Sequence, residues 1–97
     1  MEVLKSCRKR IDDLDDKIVD LLAQRIAIIR EVGVLKFREG IPAVIPSRVD
    51  EVRERAANRA ASNGLDPDLG RKIYTVLIDY CCRLEEQIKE ERERQAG

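Results

Sequence analysis

The hydrophobic pattern begins with one long helical stretch. From about Val3 to Phe37, apolar residues recur at heptad spacing with no proline between them, which predicts a single very long helix. No alternating strand pattern follows elsewhere, so we expect an all-α chain of three helices. The two lines of the heptad are Leu4, Ile11, Ile18 and Val32, and Cys7, Leu14, Leu21, Ile28 and Leu35.

The sequence EGIPAVIP at 39–46 ends this first helix, because it combines a glycine with two prolines. Ser47 stands three residues before Asp50, an arrangement that resembles a capping box and predicts the start of a second helix. That helix is expected to end near Asn63 and Gly64.

Asp66 is the predicted N-cap of a third helix, with Pro67 at the first helical position. The charged segment from Lys89 onward is expected to fray. The helix carries an apolar stripe at helical spacing, formed by Leu69, Ile73, Val76, Leu77, Tyr80, Leu84 and Ile88.

The length of the first helix conflicts with the size of the chain. The 97 residues predict a single domain over 1–97. A helix of about 35 residues is a rod of roughly 50 Å, whereas a compact domain of this size is only about 30 Å across. The rod would leave its apolar seam in water, so we predict that a second copy covers it in an intertwined homodimer.

The amino-acid composition argues against several classes of function. The 19 Lys and Arg residues balance 19 Asp and Glu residues, so there is no net positive charge to favour nucleic acid. Histidine is absent and the three cysteines form no zinc-binding or disulfide pattern, so we expect no metal, no cofactor and a reducing cytoplasmic setting. No apolar run is long enough for a membrane span, and no signal peptide is recognisable.

Two cations fall where the helical pattern calls for apolar residues. Arg25 occupies the heptad line of Ile18 and Val32, and Lys36 lies eleven residues later, rotated by only roughly 20°. A cation on a buried seam requires an anionic partner. The pair therefore indicates either a site for a small dianion or, alternatively, an ion pair that sets helix register.

Further candidate residues lie on all three helices. Arg83 and Gln87 share one face of the third helix, and Arg48 stands at the start of the second. Each of these alone is equally consistent with a solvated helix surface. Arg8 lies about 100° from Arg25 around the first helix and ~25 Å along it, so it can reach the same ligand only from a second chain.

These residues resemble the AroQ class of chorismate mutases, which are all-helical enzymes, over nearly the whole chain. The resemblance rests on the stretch CRKRIDDLDDKIVDLLAQRIAIIREVGVLK with Arg8, Arg25 and Lys36, then on Arg48 and Gln87. It implies an intertwined homodimer whose two active sites each take one arginine from the other chain.

The resemblance also implies roles. Chorismate, a dicarboxylate, would rearrange to prephenate, a step in aromatic amino acid biosynthesis that needs no cofactor. Arg25 and the second chain's Arg8 would bind the two carboxylates, and Arg48 would shape the pocket near the ring. Lys36 and Gln87 would be the catalytic donors to the ether oxygen.

Three positions depart from the family pattern. An acidic residue often found in the loop before the second helix is missing, and Ile45 or its neighbours stand there. Val49 stands where mutases usually carry a glutamate that accepts from the ring hydroxyl, and Arg83 stands where several have a small hydroxyl residue. PSRV resembles isochorismate-pyruvate lyases, and YCCRLEE resembles 4-amino-4-deoxychorismate mutases. These two activities remain alternatives on the same fold, and a dimeric regulatory or helper protein is the non-enzymatic alternative.

Overall fold

Three α-helices make up the chain: α1 (Glu2–Glu39), α2 (Pro46–Ser62) and α3 (Pro67–Ala96). The structure is a computed structural model that describes residues 2–97. Within that range no residue lies in a strand. The predicted all-α fold with one very long helix is confirmed, with α1 spanning 38 residues.

The connection between α1 and α2 begins at Gly40, as the sequence predicts. Gly40 has a φ of +67°, in the left-handed region that glycine tolerates best. Its N–H donates to the Phe37 carbonyl, and the N–H of Ile41 donates to the Lys36 carbonyl, which together form a Schellman cap. The chain therefore turns back immediately after Lys36.

The predicted start of α2 is wrong by one residue, and so is its cap. The helix begins at Pro46, Ile45 is the N-cap, and no side chain caps it. Proline occupies the first helical position because its fixed φ suits it, which places Ser47 inside the first turn rather than at the cap. The predicted end is confirmed at Gly64, whose φ is +76°.

The third helix starts as predicted and ends later. Asp66 accepts a hydrogen bond at 2.9 Å from the Asp68 N–H and so caps α3. Fraying from Lys89 is not observed, and the helix continues to Ala96. The segment contains only good helix formers and no glycine before Gly97, so nothing in it stops the helix.

Helix α3 packs against both α1 and α2. Close approach to α1 occurs at Gly33, where an added Cβ would lie 2.9 Å from Ile88 Cδ1. Close approach to α2 occurs at Gly70, where a Cβ would lie 2.7 Å from the Ala56 carbonyl oxygen. The small buried core consists of Ala43, Ala57, Ala60, Ile78, Cys81 and Leu84.

The predicted apolar stripe of α3 is largely exposed in the single chain. Val76 is 72% exposed and Tyr80 55% exposed, whereas Ile78 and Cys81 are buried. The helix carries two apolar faces, and the face packed against α1 and α2 is the one that holds Ile78. Of the predicted stripe, Leu84 lies in the buried core, whereas Leu69, Ile73, Val76 and Tyr80 lie on the face that the single chain leaves exposed.

The N-terminal half of α1 extends away from the other helices. The chain measures 61 × 25 × 14 Å and has a radius of gyration of 17.3 Å, against about 13 Å for a compact domain of this length. No helix among residues 2–97 is both long and apolar enough to cross a membrane. The exposed apolar residues of α1 include Leu4, Ile11, Leu14, Ile18, Leu21 and Ile28.

Candidate active site

A cavity of about 260 Å³ lies between the C-terminal half of α1, the 40–45 loop, the first turns of α2 and the middle of α3. Each of these segments supplies part of its wall. The polar side chains that line it are Arg25, Lys36, Arg48, Cys81, Cys82 and Glu85.

Arg25 lies half-buried at one end of this cavity. Its guanidinium donates a hydrogen bond to the Cys81 thiol at 3.3 Å and lies 5.8 Å from the centre of the Tyr74 ring. No carboxylate of residues 2–97 pairs with it. A buried guanidinium with only a thiol and an aromatic face as neighbours keeps donors available for an anionic ligand.

Lys36 lies at the other end and is held on two sides. Its ammonium donates to the Ala43 carbonyl at 2.9 Å and lies 2.7 Å from Glu85 Oε1. The Schellman cap positions the first of these contacts, because it turns the loop so that Ala43 returns over Lys36. The two side chains are 18% and 8% exposed, so this ion pair is largely removed from water.

The Lys36–Glu85 contact is an ion pair rather than a well-formed hydrogen bond. Glu85 Oε1 is buried and has no hydrogen-bond partner with acceptable geometry among residues 2–97, despite its 2.7 Å separation from the ammonium. An ionised carboxylate at such a position depends on Coulomb attraction to Lys36 alone. The ammonium therefore retains a proton that can be directed into the cavity.

The remaining wall is aliphatic. Val49 is half-buried at the first turn of α2, where the resemblance had pointed to an acidic residue. No carboxylate from α2 reaches the cavity. The aliphatic lining includes Val32, Val44, Ile45, Val49, Val52 and Ile78.

Cys82 also borders the cavity, with its thiol in the protonated form. Burial raises the pKa of this thiol, and the carboxylates of Glu85 and Glu86 raise it further. A thiol with a raised pKa is a poor nucleophile at neutral pH, so Cys82 lines the cavity without acting as a nucleophile.

The structure brings together four of the seven residues predicted for the site. Arg25, Lys36, Arg48 and Val49 all line the cavity. Arg48 is the most exposed of them, and its guanidinium pairs with Glu51 on the same helix.

The other three predicted residues lie outside the cavity of this chain. Arg83 and Gln87 are exposed, because they continue the uncovered face of α3 that holds Val76 and Tyr80. Arg8 lies on the extended half of α1 and lines a separate shallow groove near the N-terminus. The cavity therefore lacks Gln87 and contains Glu85 instead.

Sequence reasoning missed Glu85, although the signal was present. Ile78, Cys81 and Glu85 follow one another at spacings of three and four, which defines a single helical face. A carboxylate at the end of an apolar face is as anomalous as Arg25 on the seam of α1. Gln87 stands two residues from Glu85, about 200° around the helix, and so faces away.

The arrangement is suited to binding a small anion and stabilising developing negative charge. Two partly buried cations face one largely aliphatic cavity, and the single carboxylate there is paired with one of them. Among residues 2–97, no group of three or more His, Cys, Asp or Glu side chains is placed to hold a metal ion. Fixed donors in such a cavity stabilise charge without reorganisation of solvent.

Comparison with known proteins agrees with this chemistry. The chorismate mutase of Methanocaldococcus jannaschii is 33% identical over 91 residues, which cover 94% of this chain and 92% of that protein. The 4-amino-4-deoxychorismate mutase of Streptomyces venezuelae is 35% identical over 85 residues, covering 88% and 82% respectively. A bifunctional chorismate mutase/prephenate dehydratase of Aquifex aeolicus is 34% identical, and the match covers 25% of that protein.

A family profile described as chorismate mutase type II matches residues 7–86, which include the cavity-lining residues of all three helices. The match and the identity to full-length relatives both exceed what a shared helical fold alone would give. The chain belongs to the chorismate mutase type II family.

Proposed function

We propose that this enzyme converts chorismate to prephenate by a concerted [3,3] rearrangement. The ether C–O bond breaks as a new C–C bond forms, and no atom is gained or lost. Negative charge builds on the ether oxygen during the step, so the reaction requires positioned cations rather than a nucleophile. The observation that carries the proposal is the pair of partly buried cations, Arg25 and Lys36, that line one small cavity.

Arg25 is proposed to bind one carboxylate of the substrate. Its guanidinium is half-buried, lacks a carboxylate partner among residues 2–97, and presents planar donors that suit a bidentate contact. Arg48 borders the same cavity, and its pairing with the exposed Glu51 is weak enough to exchange for a ligand.

Lys36 is proposed to donate to the ether oxygen. The Ala43 carbonyl fixes the ammonium, so its charge is already in place when the C–O bond lengthens. Glu85 takes the place that the sequence had assigned to Gln87. It is the counterion of Lys36. With substrate bound, it would lie close to the negative charge that develops on the ether oxygen.

A second copy of the chain is proposed to complete the site with its Arg8. No other helix packs against the N-terminal half of α1 within residues 2–97, and its apolar seam is exposed to solvent along several turns. An uncovered seam of this kind is typical of a helix that packs against a partner. We place this homodimer in the cytoplasm, where the three free cysteines remain reduced.

The similarity to the 4-amino-4-deoxychorismate mutase of Streptomyces venezuelae makes 4-amino-4-deoxychorismate a second candidate substrate. The wall at Val49 and Ile45 is aliphatic, so a ring hydroxyl would find no carboxylate acceptor there. An unsatisfied hydroxyl costs about 1–3 kcal/mol. Val49→Glu restores an acceptor, so it is expected to raise turnover of chorismate if the ring hydroxyl limits binding; no gain contradicts this account of the wall.

The first test offers chorismate, isochorismate and 4-amino-4-deoxychorismate separately to the purified protein. Prephenate formed fastest from chorismate supports the proposal. Salicylate with pyruvate, or the amino analogue of prephenate, identifies one of the alternatives. No product from any of the three contradicts an enzymatic role and favours a regulatory or helper protein.

The second test separates catalysis from folding. Lys36→Ala is expected to lower kcat by about 10²–10³-fold, as the loss of one preorganised donor does elsewhere. Lys72→Ala removes the same charge from an exposed position on α3 and is the matched control. Normal turnover in folded Lys36→Ala rules out the proposed role.

The third test addresses the shared site. Arg8→Ala and Arg25→Ala chains are each expected to be inactive, and mixing them is expected to restore part of the activity. A mixed dimer would contain one cavity with both arginines and one with neither. Verified heterodimers without activity would exclude a site built from two chains.

A further inference from the structure

Beside the cavity, a wider groove of about 730 Å³ opens between α1, α2 and α3. Three guanidinium groups line it, from Arg25, Arg55 and Arg59, and we call it the arginine groove. Arg55 and Arg59 stand four residues apart, so they share one face of α2. The groove is therefore strongly positive on a chain whose net charge is zero.

The groove arginines differ from their neighbours in lacking a carboxylate. The other two arginines of α2 pair within the helix, Arg48 with Glu51 and Arg53 with Asp50. Arg55 and Arg59 make no ion pair within residues 2–97. Like charges four residues apart destabilise a helix, so an anion bound to this face of α2 would stabilise it.

The complementary charge lies on the uncovered half of α1. Of the aspartates in that half, Asp13 alone is paired, with Lys9 at 3.1 Å. Asp15 stands next to the apolar seam, on the same side as Arg8 and seven residues after it. It is exposed and makes no ion pair within residues 2–97.

The direction of the helices brings these charges together. Lys36 meets the start of α2 at the cavity, whereas Arg25 meets its later turns at the groove, so α2 runs antiparallel to α1. In a twofold dimer whose cavities each receive the other chain's Arg8, the two α1 helices are antiparallel. The α1 helix of the second copy therefore runs parallel to α2, from the cavity toward the groove.

The spacing along both helices matches. Arg55 stands seven residues beyond Arg48 on α2, and Asp15 stands seven residues beyond Arg8 on α1. Seven residues advance a helix by about 10.5 Å. When Arg8 of the second copy enters the cavity near Arg48, its Asp15 lies level with Arg55.

We propose that the arginine groove is the docking site for the acidic segment of a second copy's α1, with Asp15 paired to Arg55 across the interface. This inference rests on the shared active site proposed above and adds to it the charge contact that fixes the register of the two chains. Register decides where Arg8 sits, so the contact also sets the geometry of the cavity. Opposite charges at such an interface favour the correct partner and alignment.

Charge reversal tests this contact. Arg55→Glu alone and Asp15→Lys alone are each expected to raise the dimer dissociation constant by roughly tenfold or more. The chain that carries both substitutions is expected to regain most of the affinity and the activity, because the pair is re-formed with opposite polarity. Asp16→Lys is the matched control, since Asp16 is exposed, makes no ion pair within residues 2–97 and lies on the face of α1 away from the seam.

The outcomes separate this inference from the proposed function. Analytical ultracentrifugation gives the dissociation constants, and circular dichroism verifies folding. A dimer that is active and unaffected by either single reversal overturns the Asp15–Arg55 contact but leaves the shared site intact. A wild-type chain that is fully active as a monomer overturns both. Thermal stabilisation by citrate that Arg55→Glu removes, without any change in dimer affinity, assigns the groove to a small anion instead.

Discussion

Glu85→Gln is expected to increase the rate of the rearrangement. Glu85 is the counterion of Lys36, and in the proposed complex the same carboxylate would face the oxygen on which negative charge builds. Glutamine keeps nearly the same shape, removes the charge, and offers an amide N–H that can donate to that oxygen.

The geometry sets the size of the effect. The ammonium of Lys36 lies 2.7 Å from Glu85 Oε1, and its hydrogen bond to the ether oxygen would be about 2.9 Å long on the other side. The carboxylate and the ether oxygen are then about 5 Å apart. Half a unit charge opposite a full one at that distance costs about 1.7 kcal/mol at an effective dielectric constant of about 20, which is roughly a 15-fold change in rate.

Initial rates of prephenate formation at saturating chorismate measure this prediction, with circular dichroism to verify folding. Glu86→Gln removes the same charge one residue away, from an exposed position, and should leave kcat unchanged. Glu85→Ala removes the charge without supplying a donor, so it should fall between the wild type and Glu85→Gln. Equal or lower kcat in a folded Glu85→Gln variant refutes the reasoning.

Three further predictions concern stability and reactivity. Gly70→Ala should lower the free energy of unfolding by about 1–3 kcal/mol in urea titrations, because its Cβ would lie 2.7 Å from a backbone oxygen of α2. Gly33→Ala should cost less, since its 2.9 Å contact is the movable end of a side chain. A hydrogen bond from Arg71 lowers the pKa of Glu54 below its ordinary value of 4.5. The stabilisation from this contact is therefore complete above pH 4.5 and is lost as the pH falls through the lower, folded-state pKa. Glu54→Gln should flatten the acid side of the plot of unfolding free energy against pH, and an unchanged acid side contradicts this. Burial raises the pKa of Cys82, so iodoacetamide should modify it more slowly in the folded than in the unfolded chain, as followed by mass spectrometry.

The helices were predictable because their signals are local. Heptad spacing defines α1, and Gly40 and Gly64 end two helices at the only described positions with positive φ. The start of α2 was misjudged because two N-terminal signals compete there. Pro46 and Ser47 each favour a helix start. The proline prevails because its fixed φ suits the first helical position, where its missing N–H would have no helical partner.

The site residues on α1 were predictable from the hydrophobic pattern, whereas the site carboxylate on α3 was not. The seam of α1 is a single stripe, so Arg25 stands out as a charge within it. Helix α3 has two apolar faces, one packed inside the chain and one uncovered. Periodicity alone does not say which face is inside. Gln87, whose role came from the family resemblance, lies on the uncovered face, whereas Glu85 lies on the packed one.

The cavity divides substrate recognition between separate parts of the chain. The cations that suit the invariant dicarboxylate and ether groups come mainly from α1, where the heptad and the Schellman cap hold Arg25 and Lys36 rigidly. The wall that would meet the ring comes from the loop and first turn of α2, around Ile45 and Val49. Because these residues lie outside the packed helix contacts, this wall can change without disturbing the cation pair. We therefore expect α2 to discriminate between substrates that differ only at the ring, and the rate of the rearrangement to depend on Lys36 and its counterion from α3.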